Sequence, residues 1–302
     1  MTFPAMTPEK PRKYTVRNKA GEPIGKGEVR LIPVAALKIH HGATVYQRDE
    51  LRAWVNAHLP FEPHKAGVLI VSDRAGGPYV LDGQQRLALA RQSGESMVLC
   101  MVITGMTVQD EAAYFLDQDE RTALTTWVKF RAARVAGDKH PQGREAAILD
   151  RVVRAAGFEV AEHRNSARSI SSVDALKRVY RLGGEELLRR TLLTIGGVWL
   201  SEDKALHSQT IYGVGLFLDS TGDRGINLDE AVVVKVFAAN APLRIYRLAQ
   251  GIAEKRGAVS ISAANFAEAL VKEYDKRVSD PAKKLGSLTI RSKRRPTKPK
   301  PS

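Results

Sequence analysis

The residues best suited to binding or catalysis lie together in the stretch VLDGQQRLALARQSG, residues 80–94. They form the DGQQR turn, which consists of Asp82, Gly83, Gln84, Gln85 and Arg86. An apolar strand here gives way to helical spacing, so Asp82 is predicted to be a helix N-cap and Gln85 to complete a capping box. The free amides of a first helical turn attract anions, and Arg86 lies one turn further in. The turn is therefore a candidate phosphate site, although Asp–Gly before a helix also forms a cap without any ligand.

The elements around the turn predict a compact α/β domain over residues 28–106. Its strands are expected in GEVRLIP, GVLIVS, YVLD and MVLCMVI, with a helix in QRDELRAWVNAHLP, and the continuous apolar run MVLCMVI is typical of a strand buried on both faces. From residue 107 to residue 280 the spacing is helical. The predicted fold class is therefore α+β, with a small α/β domain followed by a larger all-helical domain. Residues 1–27 are predicted to be a flexible arm or an edge extension, and residues 281–302 a basic disordered tail.

The positive charge of the chain is concentrated in two segments. The 302 residues carry a net charge of +14, while residues 121–190 hold 15 basic and 8 acidic residues and residues 283–302 hold 8 basic and no acidic ones. Concentrated basic blocks suit a polyanion, so DNA is the expected partner. Solvated helix faces and a solubilising tail are the alternatives.

A second candidate site is the sequence VDALKRVYRLGGEELLRRTLL, which predicts two helices around Gly183–Gly184. The pattern is similar to a helix-turn-helix, although any helical hairpin in a bundle produces it too. Its basic residues are expected to be exposed and, with part of the tail, to bind DNA. The DNA-binding candidates are Lys177, Arg178, Arg181, Arg189, Arg190, Lys293, Arg294 and Arg295.

Other classes of site and of protein are disfavoured by the sequence. No CxxC, no helix-borne histidine pair, no P-loop and no GxSxG motif are present, so no metal site is predicted and the catalytic residues are unknown. The single cysteine, Cys100, is expected to be a buried core residue. The chain has no apolar run of membrane-spanning length and does not begin like a signal peptide, so we expect a cytoplasmic protein without membrane contact. The sequence is compatible with a homodimer as well as with a monomer.

The order of the elements and the DGQQR turn resemble the ParB/sulfiredoxin-like domain over residues 28–104. The resemblance rests on the turn, on Ala88, Ala90 and Gly94, and on the strand MVLCMVI. It is strongest to the branch with a DGQxR (DGQHR-type) motif, which includes phage, plasmid and mobile-element proteins. The following helices resemble those of a group of actinobacterial and phage proteins, through Phe115, Arg121, Trp127, Phe130, Gly137 and Asp138.

The resemblance implies a nucleotide site. In ParB-type members this turn binds the phosphates of a nucleoside triphosphate, so CTP or ATP with Mg²⁺ is the implied cofactor. The phosphate-site residues it implies are Asp82, Gly83, Gln84, Gln85 and Arg86, with Gln47 and Arg48 from the segment before the first helix. Sulfiredoxin activity is not expected, because a glutamine stands where sulfiredoxins carry their catalytic cysteine and Cys100 lies on another element.

Three functional hypotheses follow. The first is a DNA-associated ParB-like regulatory or partition-type protein that binds a nucleotide at the turn. The second is an enzyme of the same fold, a phosphotransferase or a nuclease, for which the nearby general bases would be Asp49, Glu50 or Asp82. The third is a protein whose ParB-like unit mediates protein contacts alone. Fold by itself does not decide between them.

Overall fold

A computed structural model describes residues 13–18, 21–41, 46–47, 52–62, 66–118, 124–220 and 227–288. The fold is mixed α+β and divides into two compact units, residues 1–147 and 148–302. The boundary lies beyond the predicted position at residues 106/107 because the next helices belong to the first unit. Glu111 of the first of them, for example, is fully buried and forms a salt bridge with Arg74 of the sheet.

The first unit contains a five-stranded mixed sheet with the strand order β1-β2-β5-β3-β4. Only β3 and β5 pair in parallel, and the other neighbours are antiparallel. Residues 14–17 and 23–27, part of the predicted arm or edge extension, pair as antiparallel strands at the edge of this sheet, whereas residues 1–12 and 19–20 lie outside the described residues. The strands are β1 (Tyr14–Arg17), β2 (Pro23–Pro33), β3 (Leu69–Arg74), β4 (Gly77–Asp82) and β5 (Met97–Thr104).

The α-helices in the described part of the first unit lie in segments with helical spacing. They are α1 (Arg52–Ala57), α2 (Gln84–Gln92), α3 (Val108–Asp117), α4 (Thr126–Ala136) and α5 (Pro141–Ala155), and α5 crosses the boundary between the units. Thr107 and Asp110 form a capping box at the start of α3. Helix α2 packs its apolar residues against β3, β4 and β5, and this cluster includes Val71, Val80, Leu87, Ala90 and Val102.

Strand β5 differs from its prediction in one respect. Val98, Cys100 and Val102 are buried, but Met97 and Leu99 are exposed, so the expectation of burial on both faces is wrong. The sheet at β2 and β5 covers its core with one face, as antiparallel sheets commonly do. Burial raises the pKa of the Cys100 thiol to about 11, as expected for a core cysteine.

The second unit is mostly helical but not all-helical. A two-stranded parallel pair, β6 (Glu159–Val160) and β7 (Ser169–Ile170), lies before its longest helix. Two-residue strands are too short to give a periodic signal, which is why the sequence pattern does not reveal them. The helices are α6 (Val173–Val198), α7 (Ser208–Asp219), α8 (Glu230–Ala239), α9 (Pro242–Lys255) and α10 (Ala263–Asp275).

The core of the second unit is centred on Trp199. Its indole N–H donates to the carbonyl oxygen of Phe237 at 2.9 Å. Its ring stacks on the Phe237 ring with 4.4 Å between the ring centroids. The packing continues into the predicted tail, where Leu285 is buried and its amide donates to Asp275 at 2.7 Å. Residues 281–288 are thus part of the packed unit. Across the described ranges, every helix is too short or too polar to cross a membrane.

Candidate functional site

The DGQQR turn begins helix α2 one residue later than the sequence predicts. Gly83, not Asp82, is the N-cap residue, and it adopts a left-handed conformation with φ 96°. Asp82 remains the last residue of β4, so its carboxylate does not cap the helix and the predicted capping box with Gln85 is not formed. Gly83 has no side chain, so the N-cap residue offers no side-chain acceptor to the first turn of α2.

Gly83 is required by both its conformation and its surroundings. A Cβ atom at this position would lie 2.9 Å from Cγ of Leu69 and 3.0 Å from Nη2 of Arg86. The space beside Gly83 is therefore filled by the protein itself, and no room is left for a ligand on the Cβ side of this glycine. Its φ adds a second constraint, since L-residues rarely adopt it.

Arg86 binds the protein backbone. Its Nη1 donates to the carbonyl oxygens of Ala66 at 2.8 Å and Val68 at 3.1 Å, and its Nη2 donates to Asp82 Oδ2 at 3.0 Å. These contacts join the segment that enters β3 to the end of β4, so the guanidinium is a structural clamp. The prediction that Arg86 projects toward a phosphate is not supported by this geometry. Two carbonyl oxygens before β3 and the Asp82 carboxylate accept from it instead.

A large cavity opens over the same turn. Its volume is about 830 Å³, which is within the range of small-molecule sites, and its walls include Asp82, Gly83, Gln84, Gln85 and Arg86. The rest of the lining is largely apolar and aromatic. It includes Trp54, Leu59, Phe61, Leu89, Phe115 and Leu124. We call this the turn cavity.

The lining of the turn cavity fits a ligand with two different parts. Trp54, Phe61 and Phe115 supply flat apolar surfaces, while the uncapped start of α2 supplies the amides and the positive dipole end that suit an anion. A nucleotide combines a flat base with phosphate. Mg²⁺ bound to phosphates commonly takes one or two protein carboxylates, and Glu62 and Asp82 line the cavity. Among the described residues, no group of three or more His, Cys, Asp or Glu side chains could hold a metal.

Gln47, which the resemblance assigns to the phosphate site, is buried behind the turn. Its side-chain Nε2 donates to the backbone carbonyl oxygen of Val80. The backbone carbonyl oxygen of Gln47 accepts from Arg131. The Oε1 atom of Gln47 is buried and has no hydrogen-bond partner among the described residues. Gln47 thus supports the strand leading into the turn rather than lining the turn cavity. Arg48, the other residue assigned from this segment, lies outside the described residues.

Sequence patterns did not reveal a buried polar network next to this strand. The hydroxyl of Tyr46 donates to Glu111 at 3.0 Å, and Arg74 Nε donates to the same carboxylate at 2.7 Å. Burial is the largest cause of a raised pKa at Tyr46, and the Glu111 carboxylate is the second. The one available signal was a glutamate on the apolar face of an amphipathic helix, where it needs a buried cation.

The comparisons with known proteins bear on this region directly. Residues 42–270 match a protein family that is described as a family of unknown function, DUF6551, over more than half of the chain. The chain belongs to this family. A comparison with curated proteins finds no match. The matched part of this DUF6551 chain contains the DGQQR turn and the residues that line the turn cavity, whereas β1, β2 and the basic tail lie outside it.

The second candidate site of this DUF6551 protein, the Gly183–Gly184 hairpin, has the predicted break. Both glycines are non-helical, and α6 changes direction there. Lys177, however, is buried, so the prediction that it is exposed is wrong: it lies on the face of α6 that also buries Val173 and Leu176. Arg181 is exposed.

The other hairpin arginines form salt bridges on the surface. Arg178 pairs with Asp174 at 2.9 Å, Arg189 pairs with Glu186 at 2.8 Å, and Arg190 pairs with Glu230. Exposed pairs of this kind are weak and readily exchanged. The tail candidates Lys293, Arg294 and Arg295 lie outside the described residues.

Proposed function

We propose that this DUF6551 protein is a DNA-associated, ParB-like regulatory or partition-type protein that binds a nucleotide in the turn cavity. The observation that carries the proposal is the coincidence of an 830 Å³ aromatic-lined cavity with the uncapped start of helix α2. The DGQQR turn is then a phosphate-binding element through its backbone, while Arg86 holds the turn in shape.

The assignment of roles within the turn follows from the contacts. Amides at the start of α2 bind the phosphates, because the positive end of the helix dipole lies there and the N-cap residue Gly83 has no side chain to cap them. Gln84, the first residue of α2, is half-buried and lines the cavity, so its side chain is next to the bound anion. Asp82 and Arg86 neutralise each other and fix the β4–α2 connection.

DNA association is proposed from the distribution of charge. The segment 121–190 and the tail carry the positive excess of the chain, and arginines in exposed salt bridges can exchange a carboxylate for a DNA phosphate at small cost. Arg178, Arg181 and Arg189 are the exposed hairpin residues in position to do so. Lys177 is excluded from this set by its burial.

The enzyme alternative has less support. A phosphotransferase or nuclease needs a general base beside the phosphates, and of the predicted bases only Asp82 is among the described residues. Its Oδ2 atom already accepts a hydrogen bond from Arg86 at 3.0 Å. Binding is therefore the preferred function.

A thermal-shift panel tests the proposal. The full chain is heated with nucleoside mono-, di- and triphosphates plus Mg²⁺, with and without duplex DNA, because a ligand that binds only the folded state raises Tm. We expect at least one nucleotide to raise Tm by several degrees and the corresponding nucleoside, which lacks phosphate, to have little effect. Equal shifts for nucleoside and nucleotide, or none with any nucleotide, would contradict the proposal.

A further inference from the structure

The first unit contains a second, smaller cleft that the proposed function does not use. Its volume is about 530 Å³. It is formed by the chain that follows β2, by the β3–β4 hairpin and by the end of helix α2. We call it the basic cleft, and its polar lining is Lys38, His40, His41, Arg74, Tyr79 and Arg91.

The charge of the basic cleft has one sign. Among the described residues, the lining contains a lysine, two arginines and two histidines but no aspartate or glutamate. Arg74 is balanced by Glu111, whose side chain is fully buried behind it. Lys38 and Arg91 have no carboxylate partner among the described residues, so two full positive charges face the cleft.

Hydrogen bonds fix both cations without using all their donors. Lys38 Nζ donates to the carbonyl oxygen of Gly76 at 2.6 Å, and Arg91 Nη2 donates to the carbonyl oxygen of Leu37 at 2.7 Å. An ammonium has three N–H groups and a guanidinium has five, so each cation keeps further donors for a ligand. Carbonyl partners fix the position of each cation without neutralising its charge.

Tyr79 and His40 form the floor of the cleft. Arg74 stacks over the Tyr79 ring at 3.7 Å, and its Nη2 lies 2.8 Å from Nδ1 of His40. Because a guanidinium can only donate, this His40 nitrogen must be the acceptor. Lys38 pairs with Tyr79 in an isolated parallel bridge, which links the segment after β2 to β4. The cations are thus carried by a packed framework.

We propose that the basic cleft binds a phosphate group. A tetrahedral anion with several acceptor oxygens matches donors from an ammonium and a guanidinium that approach from different elements, whereas a planar carboxylate would use fewer of them. The phosphate belongs either to a free phosphate compound or to a nucleic acid backbone. The site is separate from the turn cavity, since the two have no lining residue in common.

The test compares Lys38→Ala and Arg91→Gln with wild type and with Lys26→Ala, which removes the same charge from an exposed position in β2. The ligand is inorganic pyrophosphate, and binding to the full chain is measured by calorimetry. Side-chain ¹H–¹⁵N spectra of His40 and His41 are recorded during the titration as a local readout. We expect at least a five-fold loss of affinity in both cleft variants, wild-type affinity in Lys26→Ala, and histidine signals that move on titration.

A parallel measurement with a 20-base-pair duplex identifies the source of the phosphate. If the cleft holds the nucleic acid backbone, Lys38→Ala also weakens DNA binding and reduces the salt slope by about one. If it holds a free phosphate compound, DNA affinity is unchanged and pyrophosphate affinity falls. Cleft variants that bind both ligands like Lys26→Ala, with unmoved histidine signals, would overturn the proposal. Because Gln84→Glu alters only the turn cavity, loss of pyrophosphate binding in that variant alone would assign the phosphate to the turn cavity.

Discussion

Two glycine turns of this protein, at Gly83 and at Gly183–Gly184, have the same sequence signature but different surroundings. Each is followed by a helix and has arginines nearby, so each is a candidate anion site. Gly83 is enclosed by Leu69 of a neighbouring strand and by Arg86. At the second turn, the nearest atoms to a Cβ on Gly183 belong to Leu187 of the same helix, at 2.7 Å, and the Cβ position of Gly184 has no described atom within 4 Å. The first turn is a closely packed connection between β4 and α2. The second turn is a break on the surface of the long helix α6.

The arginines differ in the same way. Arg86 binds two backbone carbonyls and Asp82 from a mostly buried position, so it cannot leave without a loss of structure. Arg178 pairs with a carboxylate while both side chains are largely exposed. A motif arginine thus stabilises the fold where it is enclosed, and stays available to a partner where it is exposed.

The largest expected effect is that of Gly83→Ala. The left-handed φ and the 2.9 Å approach to Leu69 together should lower the free energy of unfolding by roughly 2–4 kcal/mol. Gly197→Ala is the matched control in α6, where nothing lies within 4 Å, and it should raise stability by up to about 1 kcal/mol. Urea unfolding measures both. Equal stability of the two variants would show that the conformation and packing at residue 83 do not require a glycine.

The next effect is that of Arg86→Ala, set against Arg178→Ala. Loss of a charged donor to two carbonyls should cost about 2–3 kcal/mol, while loss of the exposed Arg178 pair should cost less than about 1 kcal/mol. Arg86→Lys should restore only part of the stability, because an ammonium lacks the planar fork. If both alanine variants unfold at the same urea concentration, the contrast between the two arginines does not hold.

Truncation separates the contribution of the tail to DNA binding from that of the Gly183–Gly184 hairpin. Removal of residues 289–302 takes away six of the eight basic residues of the tail but leaves Leu285 and its hydrogen bond to Asp275 in place. We expect the salt slope of DNA binding to decrease by about 0.9 for each DNA phosphate that the tail neutralises, with unfolding unchanged. The charge of the tail has no part in DNA binding if the slope of the truncated protein equals that of the full chain.

The smallest expected effect on stability is that of Gln84→Glu. Helix α2 has no acidic residue in its first turn, so a glutamate there should stabilise the helix by about 0.3–1 kcal/mol through the dipole. The same charge should repel a phosphate in the turn cavity. Gln92→Glu at the other end of α2 is the control and should slightly reduce stability. A fall in Tm for Gln84→Glu would contradict an uncapped helix start.

Much of the first unit could be predicted from sequence, because periodicity and local capping determine its elements. The strand–turn–helix around residue 83 and the Thr107 capping box need only neighbouring residues to form. The direction of the Arg86 side chain depends on carbonyls some twenty residues earlier, and the exposure of Met97 and Leu99 depends on what covers the sheet. Long-range pairing of this kind, including that of Arg74 with Glu111, leaves no periodic trace in the chain.

The most direct test of the turn cavity compares nucleotide binding to wild type, Gln84→Ala and Gln84→Glu by calorimetry, using the nucleotide with the largest thermal shift. We predict that Gln84→Ala binds within about two-fold of wild type, because the backbone amides carry the phosphate, and that Gln84→Glu binds at least ten-fold more weakly while being at least as stable as wild type. Equal affinity in all three proteins would contradict a phosphate at the start of helix α2.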